Sequence, residues 1–339
     1  MAMNLKVRKA LLFAIIVMVF IYSFGGCKEK TSWTTQTATP EVVSLCVGGA
    51  PGMFPLLTHE QGFFAAEGVA VNLKKFRTTT EGLEHFFNGE CDMSSISETA
   101  VVMKSLERQD FSILATCATS DNSAHILANR KSGISTPQDL KGKRILVPKW
   151  SSNHYFLYMF LAKYGMSERD VTLVVSDVPN IPSAFAAGDI DACCASGVAI
   201  DKARRALGEN AVVFDAPGLC ISSYHLAARN NLIKAKPGLI RKVLAAMLRN
   251  EGWIKANRAA AVKAAAASQN MDEQVMAGVW DEHRWKVELS KTLLISLEQE
   301  AQWVINSRRT IKTTIPNYLD FVHVDSLQSL KPEAVTLIK

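Results

Sequence analysis

The chain is 339 residues long, 48% hydrophobic and 21% charged, with a formal net charge of +6 at neutral pH. That length and apolar content are enough to bury a large core and point to two domains or lobes. The basic residues are scattered, with no aromatic-interleaved basic stripe and no DNA-reading motif, so nucleic acid is not an expected partner.

Residues 1–26 read as a processing segment. Lys6, Arg8 and Lys9 form a positive start, residues 11–24 an apolar run, and Gly25-Gly26 lead into Cys27. The run is shorter than the roughly 20 residues a membrane span needs. A cleaved export signal is therefore expected, and it resembles a bacterial lipoprotein signal in which Cys27 becomes acylated. Phe24 departs from the aliphatic residue usual three positions before such a cysteine. Residues 27–40 are a polar, Thr-rich tether. Loss of the leader leaves 35 basic against 32 acidic residues.

A strand is expected at 42–47, followed by the loop Gly48-Gly49-Ala50-Pro51-Gly52, a helix over 53–66 and a strand over 69–76. The βαβ order repeats with a helix at 81–88, a strand at 91–96, a helix at 97–108 capped by Ser97, and a strand at 111–117. A strand at 124–130 leaves this unit. The second unit holds a β-rich stretch at 144–148 and then Trp150-Ser151-Ser152-Asn153, N-cap types ahead of the aromatic run 155–161. A helix N-terminus at the carboxyl end of a strand offers unpaired amides to an anion or polar oxygen, although serines there also serve simply as caps. The strand-to-helix junctions at 48–54, 94–99 and 150–154 are thus the expected ligand-facing loops. Residues 224–229 cross back, and a long Ala-rich helix over 239–267 precedes helices at 271–280 and 290–307. Two crossings between two units imply hinged halves.

Catalytic signatures are missing from the sequence. His59-Glu60 begins like a zinc-protease helix, but Phe63 stands where the second histidine belongs, and no P-loop, GxGxxG or GxSxG occurs. Neither catalytic residues, metal nor cofactor is expected. Six cysteines besides Cys27 permit disulfides; Cys46, Cys91 and Cys117 lie in apolar strands and read as buried thiols, and Cys193-Cys194 as buried at a strand end. His125 reads as a hinge-strand residue and His154 as a first-turn residue beside the cleft. Trp253, Trp280 and Trp303 read as packing residues.

These landmarks resemble the substrate-binding proteins of ABC importers for nitrate, sulfonate, taurine and pyrimidine precursors. The matching stretches are GFFAAEGVAVNL at 62–73, GECDMSS at 89–95, TPQDLKGKRILVPKWSS at 136–152, AFAAGDIDA at 184–192, KPGLIRKVLAAMLRNEGWIKAN at 236–257 and LQSLKPEAVTLI at 327–338. The resemblance implies an α/β type II periplasmic-binding-protein fold, with lobe I at 41–127 plus 225–339, lobe II at 128–224, and the ligand between them. It places cleft loops on Gly48, Gly49, Met53 and Phe54, on Ser97, Glu98 and Thr99, on Ser151, Ser152 and Asn153, and on Ala195, Ser196 and Gly197. Glu98 either points into the cleft, where it disfavours a purely anionic ligand, or is a solvated first-turn acid. Many relatives carry an aromatic and a proline after the equivalent of Asp191-Ala192; Cys193-Cys194-Ala195 here implies a smaller pocket wall. The implied partners are a small-molecule ligand, an ABC permease and a bilayer reached through Cys27, for a monomer in the periplasm or at the cell surface. A pyrimidine-synthase-like enzyme or a receptor for a sensor complex is the alternative. The former conflicts with the export signal.

Overall fold

The structure is a computed structural model that describes residues 39–176 and 180–337. The expected leader, Cys27 and all but the end of the tether lie outside the described residues.

The first unit runs β1 (Glu41–Gly48), α1 (Met53–Glu60), α2 (Phe63–Ala66), β2 (Val69–Phe76), α3 (Thr79–Phe87), β3 (Met93–Ser97), α4 (Glu98–Ser105) and β4 (Phe111–Ser120). The helix expected over 53–66 is two, because Gly62 takes a left-handed φ of 74° that ends one and opens the next. The second unit runs β5 (Ala124–Asn129), β6 (Arg144–Pro148), α5 (Ser152–Lys163), β7 (Thr172–Ser176), α6 (Ile181–Ala187), β8 (Ala192–Ser196), α7 (Gly197–Leu207) and β9 (Ala211–Phe214). The chain returns in β10 (Ser222–Arg229) and continues through α8 (Asn230–Ala235), α9 (Pro237–Ala256), α10 (Arg258–Ser268), α11 (Glu273–Asp281), β11 (Arg284–Glu288), α12 (Lys291–Asn306) and α13 (Asp325–Leu330). The single helix expected over 239–267 is broken at Asn257, whose side-chain amide donates to the Trp253 carbonyl and so competes with the helical ladder.

Two sheets result, one ordered β11-β4-β10-β3-β1-β2 and the other β7-β6-β8-β5-β9. In the first, β1 lies parallel to β2 and β3, while β10 returns antiparallel between β3 and β4. The second repeats the plan, with β6 parallel to β7 and β8 and with β5 antiparallel to β8 and β9. The chain changes sheet at residues 121–123 and 215–221, ahead of the expected boundaries at 127/128 and 224/225. Strand β5 pairs with β8 from Ala124 onward, and β10 pairs with β4 from Ser222 onward, so each strand belongs wholly to the sheet it enters.

Each sheet has its own core. Leu239, Ile240, Val243, Leu244 and Met247 of α9 pack with Val43, Leu45 and Ile113 of the first sheet; Phe156, Leu157, Phe160 and Leu161 of α5 pack with Ile126, Ile145 and Val147 of the second. At roughly 1.5–3 kcal/mol for each fully buried large apolar side chain, this burial is the main force holding each layer. Tyr155 of α5 belongs to the first core, so this helix touches both lobes. Two motifs that carried the resemblance are structural. The Thr136 N–H and hydroxyl donate to Asp139 (2.8 and 2.9 Å), and the Arg144 guanidinium clamps Asp191 (2.9 Å), fixing β6 beside the turn before β8.

The cysteine expectation needs correcting. Cys46 and Cys91 are joined in a disulfide, because β1 lies beside β3 and brings their Cα atoms to 5.9 Å. Cys117, Cys193 and Cys194 are buried free thiols, and Cys220 is half-buried.

Candidate functional site

The four strand-to-helix junctions expected to face the cleft differ in what they expose. After β1, Gly48 and Gly49 line a cavity of about 330 Å³ together with Lys75, Arg77 and Asn270. Gly48 lies so near the Thr78 carbonyl that a Cβ would clash, and Gly49 takes a φ of 59°. The Thr79 hydroxyl donates to the Gly48 carbonyl at 3.1 Å. Met53 and Phe54 of the same loop are buried. The Phe54 ring stacks on Trp285, and its carbonyl accepts from Thr58 and Asn250, so both residues serve the core.

After β3, Ser97 occupies the N-cap of α4 without a side-chain capping bond. Glu98 is 0% exposed, which excludes the solvated reading. Its Oε2 accepts from the Ser223 hydroxyl at 2.7 Å, Ser223 Oγ lies 3.0 Å from His225 Nε2, and His225 Nδ1 lies 3.1 Å from Thr116 Oγ1. The consistent proton order is Thr116 hydroxyl to Nδ1, Nε2–H to Ser223, and Ser223 hydroxyl to Glu98. It requires a neutral ring, and burial pulls the His225 pKa down to about 3. Burial likewise raises the Glu98 carboxyl above its ordinary range, against hydrogen bonds from Ser223 and Ser296. Glu300 of α12, 1% exposed, is raised by burial and then by the Glu98 charge.

After β6, Ser151 caps α5, its Oγ accepting from His154 N–H at 3.4 Å and its hydroxyl donating to the Pro148 carbonyl at 2.9 Å. Ser152 Oγ accepts from the Thr99 hydroxyl at 3.2 Å, a direct contact between the first turns of α4 and α5. The Asn153 amide reaches Ser196 Oγ at 3.5 Å, and the Cys194 thiol donates to the Asn153 carbonyl. His154 turns elsewhere. Its ring, 1% exposed, lies 2.9 Å from Glu168, stacks on Trp150 and meets Trp303 edge-on. Arg309 completes that cluster, bonding Glu168 at 2.9 and 3.0 Å with its guanidinium 4.2 Å from both indole rings.

After β8, Ser196 occupies the N-cap of α7, and Gly197 lines a cavity of about 540 Å³ with His125, Asp201, Asp215, Gln274 and Glu282. His125 Nδ1 lies 2.6 Å from Asp215 and Nε2 lies 3.3 Å from Glu282. Burial opposes its charged form, but the hydrogen bonds to Glu282 and Asp215 win and raise its pKa.

The structure therefore brings Thr99 to Ser152 and Asn153 to Ser196, with Glu98 buried next to Thr99. It sets Gly48 and Gly49 on a different cavity, Met53 and Phe54 in the core and His154 in the Arg309 cluster. Sequence reasoning missed Ser223, His225 and Glu300. Glu300 carried a readable signal: it falls on the buried stripe of α12 with Leu293, Leu297, Ala301 and Val304, where an acid is out of place.

A model of the NMT1/THI5-like family matches residues 53–261. The chain belongs to this family. It is 29% identical to the taurine-binding periplasmic protein of Escherichia coli over 38% of the chain and 40% of that protein. The chain spans about half the length of the curated relatives it matches. Among solved structures it resembles the alkanesulfonate-binding protein of Xanthomonas axonopodis pv. citri (TM-score 0.70, 21% identity, 82% of this chain and 97% of that one). It also resembles a Candida albicans protein described as having the generic periplasmic-binding-protein fold (TM-score 0.64, 12% identity, 87% and 96%). The two-lobed α/β fold implied by the sequence resemblance is the fold of this family member.

Proposed function

We propose that the protein is an extracytoplasmic solute-binding protein that captures a small polar or anionic organic molecule between its lobes, hands it to an ABC permease, and is held at a membrane through acylated Cys27. The observation that carries this reading is the 3.2 Å contact between Thr99 and Ser152. It joins two strand-to-helix junctions from opposite sheets, where unpaired helix amides favour a polar or anionic guest. Membership of the family and the taurine-binding and alkanesulfonate-binding relatives support a ligand of that size and polarity. Binding is favoured over catalysis because burial pushes the Cys193 thiol up to about 12 and Cys194 well above its ordinary value, the wrong direction for a nucleophile.

A few neutral hydrogen bonds, at about 0.5–1.5 kcal/mol each, reach the roughly 8 kcal/mol of micromolar binding only with help from helix amides and a cheap closure. The test is titration calorimetry with taurine, alkanesulfonates, nitrate and pyrimidine precursors, on the wild type and on Thr99→Val/Ser152→Ala. The expected result is micromolar binding of at least one class, weakened at least tenfold in the double variant. No binding by any of these compounds refutes the reading.

A further inference from the structure

His125 sits where three separate parts of the chain converge. It is the second residue of β5, just past the first crossing between sheets. Asp215 opens the second crossing directly after β9, and Glu282 follows α11, whose Met276 and Trp280 are buried in the first-lobe core. The ring lies with Nδ1 2.6 Å from Asp215 Oδ1 and Nε2 3.3 Å from Glu282 Oε1. A carboxylate only accepts, so both ring nitrogens must carry protons for both contacts to be bonds, and the imidazolium is the form that fits. A neutral ring keeps the shorter bond to Asp215 and turns a lone pair toward Glu282, the one contact that reaches the first lobe. Among the described residues neither Asp215 nor Glu282 has another ion-pair partner. The remaining charged groups around the 540 Å³ cavity are Asp201, Arg204 and Arg205 of α7, and the two arginines turn to Asp201 at 3.1 and 2.8 Å. On β8, Cys193 lies two residues before the Ala195 that pairs with His125, and burial pushes its thiol up to about 12, so it is neutral. His283, next to Glu282, has its pKa lowered by burial and is neutral as well. His125 is therefore the one cation serving both acids.

We propose that His125 is a pH-sensitive latch between the lobes: as imidazolium it ties Glu282 of the first lobe to Asp215 and β5 of the second, and on deprotonation it lets Glu282 go. Burial works against the charged ring, but the bonds to Glu282 and Asp215 outweigh it and hold the proton above the ordinary value of about 6.5. The latch is therefore shut at acidic pH and opens as pH rises through that raised value. The cavity between α7 and α11 gives the ring its path for exchanging protons with solvent. Strand β5 pairs Ala124 with Ser196 and His125 with Ala195, so the latch braces the junction that the Asn153 amide reaches. Its consequence for ligand rests on the solute-binding reading: acid tightens the grip and alkali loosens it. The coupling is reciprocal, so a bound solute strengthens the hold of His125 on its proton by the same factor.

The experiment follows the purified protein from about pH 5.5 to about pH 9, either side of the ordinary histidine value. Imidazole NMR tracks His125, its signal identified by its loss in His125→Gln, while small-angle scattering measures the radius of gyration without solute. The expected result is a His125 midpoint above the ordinary value and a radius that grows with the same midpoint. That growth is absent from His125→Gln and from Glu282→Gln, which keeps the histidine but removes the acid it latches. In calorimetry with taurine and alkanesulfonates, affinity should fall by about fivefold or more across the midpoint in the wild type and show no such step in either variant. If one variant fails to fold, the other and the wild-type titration still decide. A His125 midpoint at or below the ordinary value, a radius indifferent to its titration, growth that survives in Glu282→Gln, or affinity without the step overturns the latch. If no probe binds while the His125-linked growth persists, the latch stands and the solute-binding reading falls.

Discussion

Replacing Arg309 by alanine is expected to destabilise the protein by about 3–5 kcal/mol, the cost of breaking a buried pair from one side. The guanidinium side chain is 7% exposed. It makes two bonds to the Glu168 carboxylate, a charge-assisted interaction of about 1.5–3 kcal/mol. It also lies between the faces of Trp150 and Trp303, each contact adding about 0.5–2 kcal/mol when desolvated. Glu168 keeps His154 at 2.9 Å after the substitution, which holds the total below the sum of the upper bounds. Trp303 and Arg309 belong to or follow α12 on the first lobe, whereas Trp150 and Glu168 flank α5 on the second and His154 lies in its first turn, so the loss falls on the boundary between lobes. Trp150 takes a φ of 47°, costly for a bulky residue, and the stacked rings hold it there. Urea unfolding of the wild type, Arg309→Ala, Glu168→Gln and the double variant measures the term, with an expected coupling of at least about 1.5 kcal/mol. Arg309→Lys is expected to recover little, since lysine loses the planar stack. A cost below about 1 kcal/mol for Arg309→Ala, or zero coupling with Glu168, refutes the reasoning.

Removing the disulfide with Cys46→Ala/Cys91→Ala frees a loop of 45 residues and is expected to lower stability by about 2–4 kcal/mol in chemical denaturation, with wild type in reductant behaving alike. His125, its pKa raised by Glu282 and Asp215 against burial, contributes stability that is complete below the unfolded value of about 6.5 and is lost as pH rises through the raised folded value. His125→Gln should flatten that part of the melting profile. Glu98, also raised, makes the folded state hold a proton the unfolded chain has shed, so stability falls as pH climbs above about 4.5, and Glu98→Gln removes much of that slope. Cys27→Ala is expected to move the protein from the membrane fraction to the soluble fraction on cell fractionation.

Most of the strand and helix order was legible because each βαβ repeat alternates a short β-branched run with a helix opened by Ser, Thr or Asn, as at Thr78, Ser151 and Asn180. What escaped were features set by contacts distant in sequence. Strand β11 is a five-residue stretch whose partner, β4, lies some 165 residues earlier at Arg284 and Thr119. The Cys46–Cys91 bond depends on β1 lying beside β3, which local pattern does not specify. Asn257 ends α9 by a side-chain bond within a run of helix formers that masks it. The junction loops were located correctly as strand ends, yet which side chains meet there is decided by rotation about each helix axis. Ser152 and His154, two residues apart on α5, face the Thr99 hydroxyl and the Arg309 cluster respectively.

That divergence bears on how tightly a solute can be held. If the guest enters when α4 and α5 part, the Arg309–Glu168 bridge and the Trp303 contacts with Tyr155 and Tyr158 must loosen with them, since all connect α5 or the turn that follows it to the first lobe. The measured affinity is then the intrinsic affinity scaled by the fraction of protein in the binding-competent state. A bridge contributing several kcal/mol to the closed arrangement favours the loaded form once the guest is inside, but equally suppresses the open form that admits it. Arg309→Ala should therefore speed both association and release, with release changing more because the guest is retained by the contacts that the substitution removes. Stopped-flow rates on any ligand found by calorimetry separate this from a merely structural role: unchanged on- and off-rates in a variant that still folds would mean that the Arg309 cluster stabilises the fold without gating it.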